Sequence, residues 1–264
     1  DLRVHDHTPG YGSAAKFVAS AIMGDDYDNK SLPGIKVDVI MGRHAGFLTA
    51  ASVLARKYEN DGPHLIYVPE APLSEEQFLA DVDRVYSKLG RCLIAVSEGV
   101  SRPDGKTWAE AMSDNLEKDA HGNIQLSGTG ALGDYLASLV SKKLKAPGGK
   151  KLRVRADTFG YLQRSFPGYL SETDAVEARQ VGVRAVQLSA DPSIAECSVY
   201  MKRVSNDPYK IELDHTSIKN VARDTKHLDP SYIENGNNIT AKFIEYVRPL
   251  VGTLPTVGSL SELK

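Results

Sequence analysis

Cysteine is scarce in this chain of 264 residues, which contains only Cys92 and Cys197. They lie far apart, and the sequence has neither a C-x-x-C pair nor a cluster of cysteine and histidine. This argues against a zinc site and against a fold held together by disulfide bonds. Two isolated cysteines suit a reducing compartment, so we expect a cytoplasmic protein.

A strong excess of charge is also missing, because 32 lysines and arginines nearly balance 34 aspartates and glutamates. The formal charge of −2 gives no overall attraction to nucleic acid or to an anionic membrane, and we expect neither as a partner. Apolar runs such as 93–96 are much shorter than the roughly 20 residues of a membrane-spanning helix. The length predicts one large globular domain or two small ones.

Short apolar runs alternate with amphipathic ones from residue 35 onwards. Runs that are almost continuous in valine, isoleucine and leucine predict strands at 35–41, 64–68 and 92–96. Apolar residues at helical spacing predict helices at 47–58 and 78–89. Strands that are apolar on both faces are typical of a parallel sheet covered by helices, so we expect an α/β fold with three layers, of the Rossmann type.

The second half of the chain is less regular. Residues 101–123 carry Pro103, Gly105, Gly122 and Asn123 around a short polar helix with Trp108, and we expect an exposed excursion there. A linker is predicted at 145–150. The helix that starts near residue 171 has a stripe of small residues, and we expect it to pack in the interior.

The remaining elements are predicted from local patterns. Apolar and polar residues alternate near 152–156, which indicates a strand with one polar face. We also predict a helix at 131–144, an antiparallel hairpin of 198–204 with 209–213, and a last helix at 239–248 that stops at Pro249.

Polar side chains follow four of the predicted strands. They are Arg43 after the first, Glu70 after the second, Glu98 after the third, and Tyr161, Gln163 and Arg164 after the strand near 152–158. In open parallel sheets, ligands bind beyond the carboxyl ends of the strands. An arginine matches phosphate oxygens and a carboxylate accepts hydrogen bonds from sugar hydroxyls, so we predict a site for a sugar phosphate or a similar polyol phosphate.

Each of these side chains also has a structural explanation. Arg43 could pair with Glu70 or Glu98, Glu98 could belong to a turn, and Gln163 and Arg164 could lie on the surface. The occurrence of four polar strand ends in the same topological place favours a ligand site.

Two glycine-rich stretches and a histidine pair have alternative interpretations. Residues 10–15 and 128–133 fit a dinucleotide fingerprint, but neither follows a convincing strand, so each is better explained as a turn into a helix. His5 and His7 flank Asp6 and could suggest a metal site. A solvated terminus is the simpler expectation.

Taken in order, the motifs resemble one family, the phosphofructokinases, and within it the branch that uses pyrophosphate. The resemblance covers nearly the whole chain and depends on PGYGSAAKF at 9–17, MGRHAG at 41–46, PEAP at 69–72, SEG at 97–99, GTGALGDYLA at 128–137, FGYLQRSFPG at 159–168 and the helix at 174–182. It implies a phosphotransferase that converts fructose 6-phosphate to fructose 1,6-bisphosphate in glycolysis.

The resemblance also implies roles for individual residues. Arg43 resembles the arginine that stabilises the transferring phosphoryl group, with Met41 and Gly42 lining the sugar site. Glu98 resembles the carboxylate that binds fructose hydroxyls.

The phosphate of the sugar is assigned in the same way. Tyr161 and Arg164 resemble the pair that binds the 6-phosphate, and a tyrosine at 161 favours the pyrophosphate branch. Arg155 resembles a residue donated to the neighbouring subunit, which implies a homodimer or homotetramer.

The start of the chain departs from the family pattern. Asp1 resembles the last aspartate of the family's T-x-D-N-D segment, which carries the catalytic base. The base and the ligand of a Mg²⁺ cofactor are expected before it, so we expect the C-terminal part of a longer enzyme. A further arginine upstream of MGR is not found, and the nearby Lys36 is not assigned.

On this interpretation the chain has three parts. Residues 1–10 end a catalytic segment, 11–160 form a sugar-phosphate-binding lobe, and 161–264 return to a donor-binding lobe and add the C-terminal hairpin and helix. Pyrophosphate is the expected phosphoryl donor. The alternatives are an ATP-dependent 6-phosphofructokinase, a non-catalytic sugar-phosphate-binding subunit and, from another class, a nicotinamide oxidoreductase.

Overall fold

The computed structural model describes residues 2–112, 130–222 and 225–258. Its larger sheet has four parallel strands, namely β1 (Ile35–Ile40), β2 (Leu65–Tyr67), β3 (Cys92–Ser97) and β4 (Val154–Thr158). They lie in the order β2-β3-β1-β4. Every residue of β1 and β3 is buried, because helices cover both faces of the sheet.

Eight described helices accompany these strands. They are α1 (Tyr11–Ser31), α2 (Phe47–Ala51), α3 (Glu75–Leu89), α4 (Trp108–Met112), α5 (Ala131–Lys143), α6 (Leu162–Ser165), α7 (Glu172–Ser189) and α8 (Ala241–Val251). Two smaller antiparallel pairs follow, β5 (Ser198–Asn206) with β6 (Tyr209–Thr216), and β7 (Ile233–Glu234) with β8 (Asn238–Ile239). None of the described helices is both long and apolar enough to cross a lipid bilayer.

The sheet separates two hydrophobic cores. Ile35, Val37 and Val39 of β1 contribute to the core that α3 and α5 cover, whereas Ile40 contributes to the core under α1, α2 and α8. Successive side chains of a strand point to opposite faces, which explains this division. The predicted three-layer α/β fold is confirmed.

Two helices end differently from the prediction. The helix predicted at 47–58 is α-helical only to Ala51 and continues as a 3₁₀ helix over Ser52–Ala55. Beyond it, the Asp61 carboxylate accepts the N–H groups of Lys57 and Tyr58, which holds these residues in a turn. Conversely, α8 continues through Pro249 to Val251. Hydroxyl groups of Ser171 and Thr173 donate to carbonyls at this end of α8, so its terminal acceptors are satisfied.

Burial corrects two further predictions. Trp108 is 2% exposed rather than part of an exposed excursion, and its indole N–H donates to the carbonyl of Leu73. Residues 113–123 lie outside the described residues. The small-residue helix α7 is not an interior helix in the described structure, because only Asp174, Glu177 and Leu188 of it are buried.

Candidate functional site

The loop after β1 is fixed by backbone contacts with β3. Ser97 donates its hydroxyl hydrogen to the carbonyl of Gly42 at 2.6 Å, and Gly99 donates its N–H to the same carbonyl at 3.1 Å. A Cβ atom on Gly42 would lie 2.6 Å from the Ser97 Oγ, so only glycine fits there. Arg43 follows directly, and its position is therefore set by rigid strand ends.

Glu98 lies against this loop. It is 5% exposed and accepts the N–H of Gly42 at 3.3 Å. Because Gly42 and Arg43 are neighbours, a carboxylate and an arginine are brought together at the carboxyl edge of β1 and β3. This is the pair that the sugar-phosphate prediction requires.

Gln163 holds the next strand end to the same loop. Its amide oxygen accepts the N–H of Met41 at 3.2 Å, and its amide nitrogen donates to the carbonyl of Gly160 at 2.7 Å. Only 2% of Gln163 is exposed, so the surface alternative is wrong for this residue. Gln163 therefore places the segment after β4 beside Met41.

Tyr161 and Arg164 belong to that segment and are both exposed. The Arg164 guanidinium lies 4.7 Å from the centre of the Tyr161 ring, a cation–π arrangement. A phenol and an arginine that are stacked and open to solvent can receive a phosphate together.

Glu70 has a different role from Glu98. Its carboxylate accepts the N–H of Gly46 at 3.1 Å and the N–H of Leu228 at 2.7 Å. It therefore joins two distant loops. These contacts explain the carboxylate at the end of β2 without any need for a bound ligand.

Arg155 is not brought to this group of residues. It pairs in register with Lys36 near the start of β4, and its guanidinium donates to Asp28 of α1 at 2.6 Å. This hydrogen bond lowers the pKa of Asp28. Asp1 lies outside the described residues.

The glycine-rich stretch at 10–15 begins α1, as predicted, with Gly10 in the left-handed region at a φ of 96°. The Asp174 carboxylate accepts the N–H groups of Gly10 and Ser13 at 2.7 and 3.1 Å. An anion from the chain itself thus occupies this helix start, which argues against a dinucleotide there. Residues 128 and 129 of the second stretch lie outside the described residues.

The histidines near the start of the chain are not solvated. His5 and His7 are 7% and 6% exposed. The ring of His7 contacts Asp6 and Glu177, a residue of α7 that no local pattern connects with it. The expectation of a solvated terminus is therefore wrong.

The loop at 225–228 is a part of the site region that the sequence did not indicate. Thr225 forms a β-bridge with Leu2, and the Nδ1 atom of His227 lies 3.0 Å from the carbonyl oxygen of His44, next to Arg43. Because these contacts join residues more than 180 positions apart, no motif could have revealed them.

Within the described residues, one group of carboxylates is close enough to share a cation. It consists of Asp25, Asp38 and Asp157, but the Lys36 ammonium already binds Asp25 and Asp157 at 2.7 and 2.8 Å. Burial followed by the charge of Asp25 raises the pKa of Asp38 well above its usual value. This group is explained by its own lysine, whose ammonium binds two of the three carboxylates.

The chain is similar to known proteins over almost its whole length. The family model described as "Phosphofructokinase" matches residues 1–189. The pyrophosphate–fructose 6-phosphate 1-phosphotransferases of Rhodospirillum rubrum and Halomonas elongata are 49% and 34% identical to the chain, over 96% and 95% of its length. A crystal structure described as a pyrophosphate-dependent phosphofructokinase from Nitrosospira multiformis superimposes with a TM-score of 0.79 at 29% identity, over 98% of the chain.

The chain spans only part of these proteins. It covers 61% and 58% of the two relatives and 59% of the solved chain. The family model nevertheless matches most of the present sequence, including every strand of the larger sheet. The chain therefore belongs to the phosphofructokinase family.

Proposed function

We propose that this chain supplies the sugar-phosphate site of a pyrophosphate-dependent phosphofructokinase. The proposed reaction transfers a phosphoryl group from pyrophosphate to O1 of fructose 6-phosphate. The observation that carries the proposal is the convergence of Arg43, Glu98, Tyr161 and Arg164 on one edge of the sheet, in a chain 49% identical to a pyrophosphate–fructose 6-phosphate 1-phosphotransferase.

Each residue has a defined part in the proposed mechanism. Tyr161 and Arg164 bind the 6-phosphate, and Glu98 accepts hydrogen bonds from sugar hydroxyls beside the backbone of Met41 and Gly42. Arg43 stabilises negative charge on the phosphoryl group as it moves between two oxygens. In phosphoryl transfer, catalysis consists mainly of such positioning and charge stabilisation.

The phosphoryl donor, the catalytic base and a Mg²⁺ site belong, on this proposal, to the part of the longer relatives that the match does not cover. The described residues at the sheet edge do not fit a magnesium site of their own, because Glu70 is occupied by the N–H groups of Gly46 and Leu228. Carboxylates are the protein ligands that Mg²⁺ prefers, and Glu98 alone does not form such a site. On this proposal Asp1, which directly precedes Leu2, contributes its carboxylate to the catalytic segment.

The proposed donor-binding lobe also explains why α7 exposes a face with three valines. Val176, Val183 and Val186 are 56%, 54% and 70% exposed there, beside small residues such as Gly182 and Ala185. A face of this kind allows close helix packing, which supports the assignment of 161–264 as a segment that returns to a donor-binding lobe. We further propose that the protein acts in the cytoplasm, in glycolysis, as a homodimer or homotetramer.

The test uses the full-length protein that carries this chain. With fructose 6-phosphate, we expect fructose 1,6-bisphosphate to form with pyrophosphate as donor and little with ATP. In calorimetric titration, Arg164→Ala should weaken fructose 6-phosphate binding about 10-fold to 100-fold, as expected for a lost hydrogen bond to a charged group.

Arg248→Ala, which removes an exposed arginine of α8, is the matched control and should bind normally. Faster turnover with ATP would instead support the ATP-dependent alternative. Binding without turnover by either donor would support the non-catalytic subunit, and unchanged binding in Arg164→Ala would refute the site.

A further inference from the structure

Both ring nitrogens of His7 face carboxylate oxygens in the interior. Nδ1 lies 2.8 Å from an oxygen of Asp6, and Nε2 lies 2.7 Å from an oxygen of Glu177. An ionised carboxylate can only accept a hydrogen bond, so both nitrogens must donate. With both carboxylates ionised, this geometry makes His7 a charged imidazolium that donates on both sides.

The two carboxylates are held in place by other groups, so neither can turn away. Asp6 accepts the Nε and Nη2 hydrogens of Arg203 from β5 at 3.1 and 2.9 Å, and Glu177 accepts the Tyr209 hydroxyl from β6 at 2.6 Å. Other titratable groups also face this cluster among the described residues. Lys226 donates to the carbonyls of His5 and Asp6, and Tyr246 of α8 donates to the carbonyl of Asp6. The His5 ring, Tyr11 of α1 and Tyr232 lie close enough to interact electrostatically with the cluster.

The region around His7 is connected to the candidate site on two sides, through its partner Glu177 and through Tyr11 at the start of α1. Glu177 is on the buried face of α7 with Asp174, which holds the start of α1, and α7 follows the segment of Tyr161 and Arg164. On the other side, Tyr11 donates its hydroxyl to the carbonyl of Phe47, the first residue of the helix after Arg43.

We propose that His7 is a positioning residue, which holds residues 2–8 against α7 through its two charged hydrogen bonds. This segment leads into α1, and its Leu2 forms a bridge with Thr225, whose loop contacts the carbonyl of His44 through His227. The placement of the segment therefore bears on the loop that carries Arg43. The link to catalysis rests on the proposed function, whereas the link to α7 does not.

The sign of the pH dependence follows from the same contacts. Burial alone would lower the pKa of His7, but the hydrogen bonds to Asp6 and Glu177 raise it above its ordinary 6.5. The stabilisation is therefore complete below pH 6.5 and is lost as pH rises through the raised value. A neutral ring donates only one hydrogen, which leaves one carboxylate facing a nitrogen lone pair.

Glu177→Gln tests the proposal without deleting a side chain. The new amide can donate to a neutral Nε2 while its oxygen still accepts the Tyr209 hydroxyl. We expect the melting temperature of the full-length wild type to fall more than that of Glu177→Gln between about pH 6 and pH 9. The wild-type kcat should fall roughly 10-fold over this range relative to the variant, with little change in KM for fructose 6-phosphate.

His7→Gln should lower kcat roughly 10-fold at pH 6.5, because a neutral amide cannot donate to both carboxylates in this geometry. His215→Gln is the control, since His215 lies 3.6 Å from Asp214 on the hairpin, outside this cluster. If His7→Gln fails to fold, the pH profiles of wild type and Glu177→Gln still test the proposal.

Identical pH profiles of melting temperature in wild type and Glu177→Gln would overturn the proposal, even if the enzyme is active. A difference in melting temperature with identical pH profiles of kcat would also overturn the positioning role. A difference in melting temperature in a protein with no phosphotransferase activity would confirm the His7 contacts, and only the proposed function would fail.

Discussion

Two carboxylates that follow neighbouring strands have different surroundings. The Glu70 carboxylate accepts the N–H groups of Gly46 and Leu228. The Glu98 carboxylate instead accepts the N–H of Gly42, next to Arg43. The sequence treats them alike, since each follows an apolar strand and precedes a turn. Their difference arises from which backbone groups the fold places beside them, and it is the reason why we propose Glu98, rather than Glu70, as the sugar ligand.

Arg43→Ala in the full-length enzyme should mainly lower kcat. If the guanidinium meets charge that develops during transfer, its loss raises the energy of the transition state more than that of the bound substrate, and arginines in this role contribute roughly 10³-fold or more. Steady-state kinetics on this variant and on Arg102→Ala, an arginine of an exposed loop, checks the expectation. A normal kcat with only a raised KM would assign Arg43 to ground-state binding.

Among the elements, α7 has an unusual buried face because that face is charged. Asp174 and Glu177 lie one turn apart and are its main buried residues, and each binds a segment near the start of the chain. Small residues at helical spacing suggested an interior helix, but Gly182 and Ala185 are exposed and Ala175 and Ala178 are only partly buried. The carboxylates of Asp174 and Glu177 therefore hold this helix, rather than the packing of its small residues.

Asp174→Ala should destabilise the fold by about 2–3 kcal/mol. The substitution removes an anion from the start of α1 and leaves the N–H groups of Gly10 and Ser13 without their acceptor. Chemical denaturation measures the loss, with Glu172→Ala as control because Glu172 lies in the exposed first turn of the same helix. Equal stability of the two variants would show that Asp174 does not hold α1.

At the scale of the whole molecule, Arg155 is separated from the site in its own chain. It is paired in register with Lys36, and Met41 comes five residues later along β1, a separation of roughly 16 Å in an extended strand. A symmetric assembly can bring Arg155 to the 6-phosphate of the neighbouring subunit, which remains our proposal.

Mixed oligomers test this arrangement. Arg155→Ala should raise KM for fructose 6-phosphate roughly 10-fold to 100-fold, as expected for a lost hydrogen bond to a charged group. Mixing Arg155→Ala with Arg164→Ala subunits should restore activity. In a mixed oligomer, both substitutions then affect the same site, and the other site shared by the two subunits keeps both arginines. No recovery after confirmed subunit exchange would mean that Arg155 serves its own chain.

The parallel sheet and its helices were predictable from the sequence alone. Strand β3 is apolar up to its last residue, Ser97, and only Lys36 and Asp38 interrupt the apolar run of β1, so the local pattern indicates burial on both faces. The gathering of Arg43, Glu98, Tyr161 and Arg164 at one edge followed from the polarity of parallel strands. Their proposed roles came from the family resemblance.

Tertiary structure alone decided which polar residues became buried. His7 meets Glu177 across 170 positions of sequence, and Gln163 meets Met41 across 122. Trp108 lies in a polar stretch, yet its indole is buried against Phe78 and Tyr135. The burial of such a side chain depends on partners from distant segments, and local periodicity contains no information about those partners.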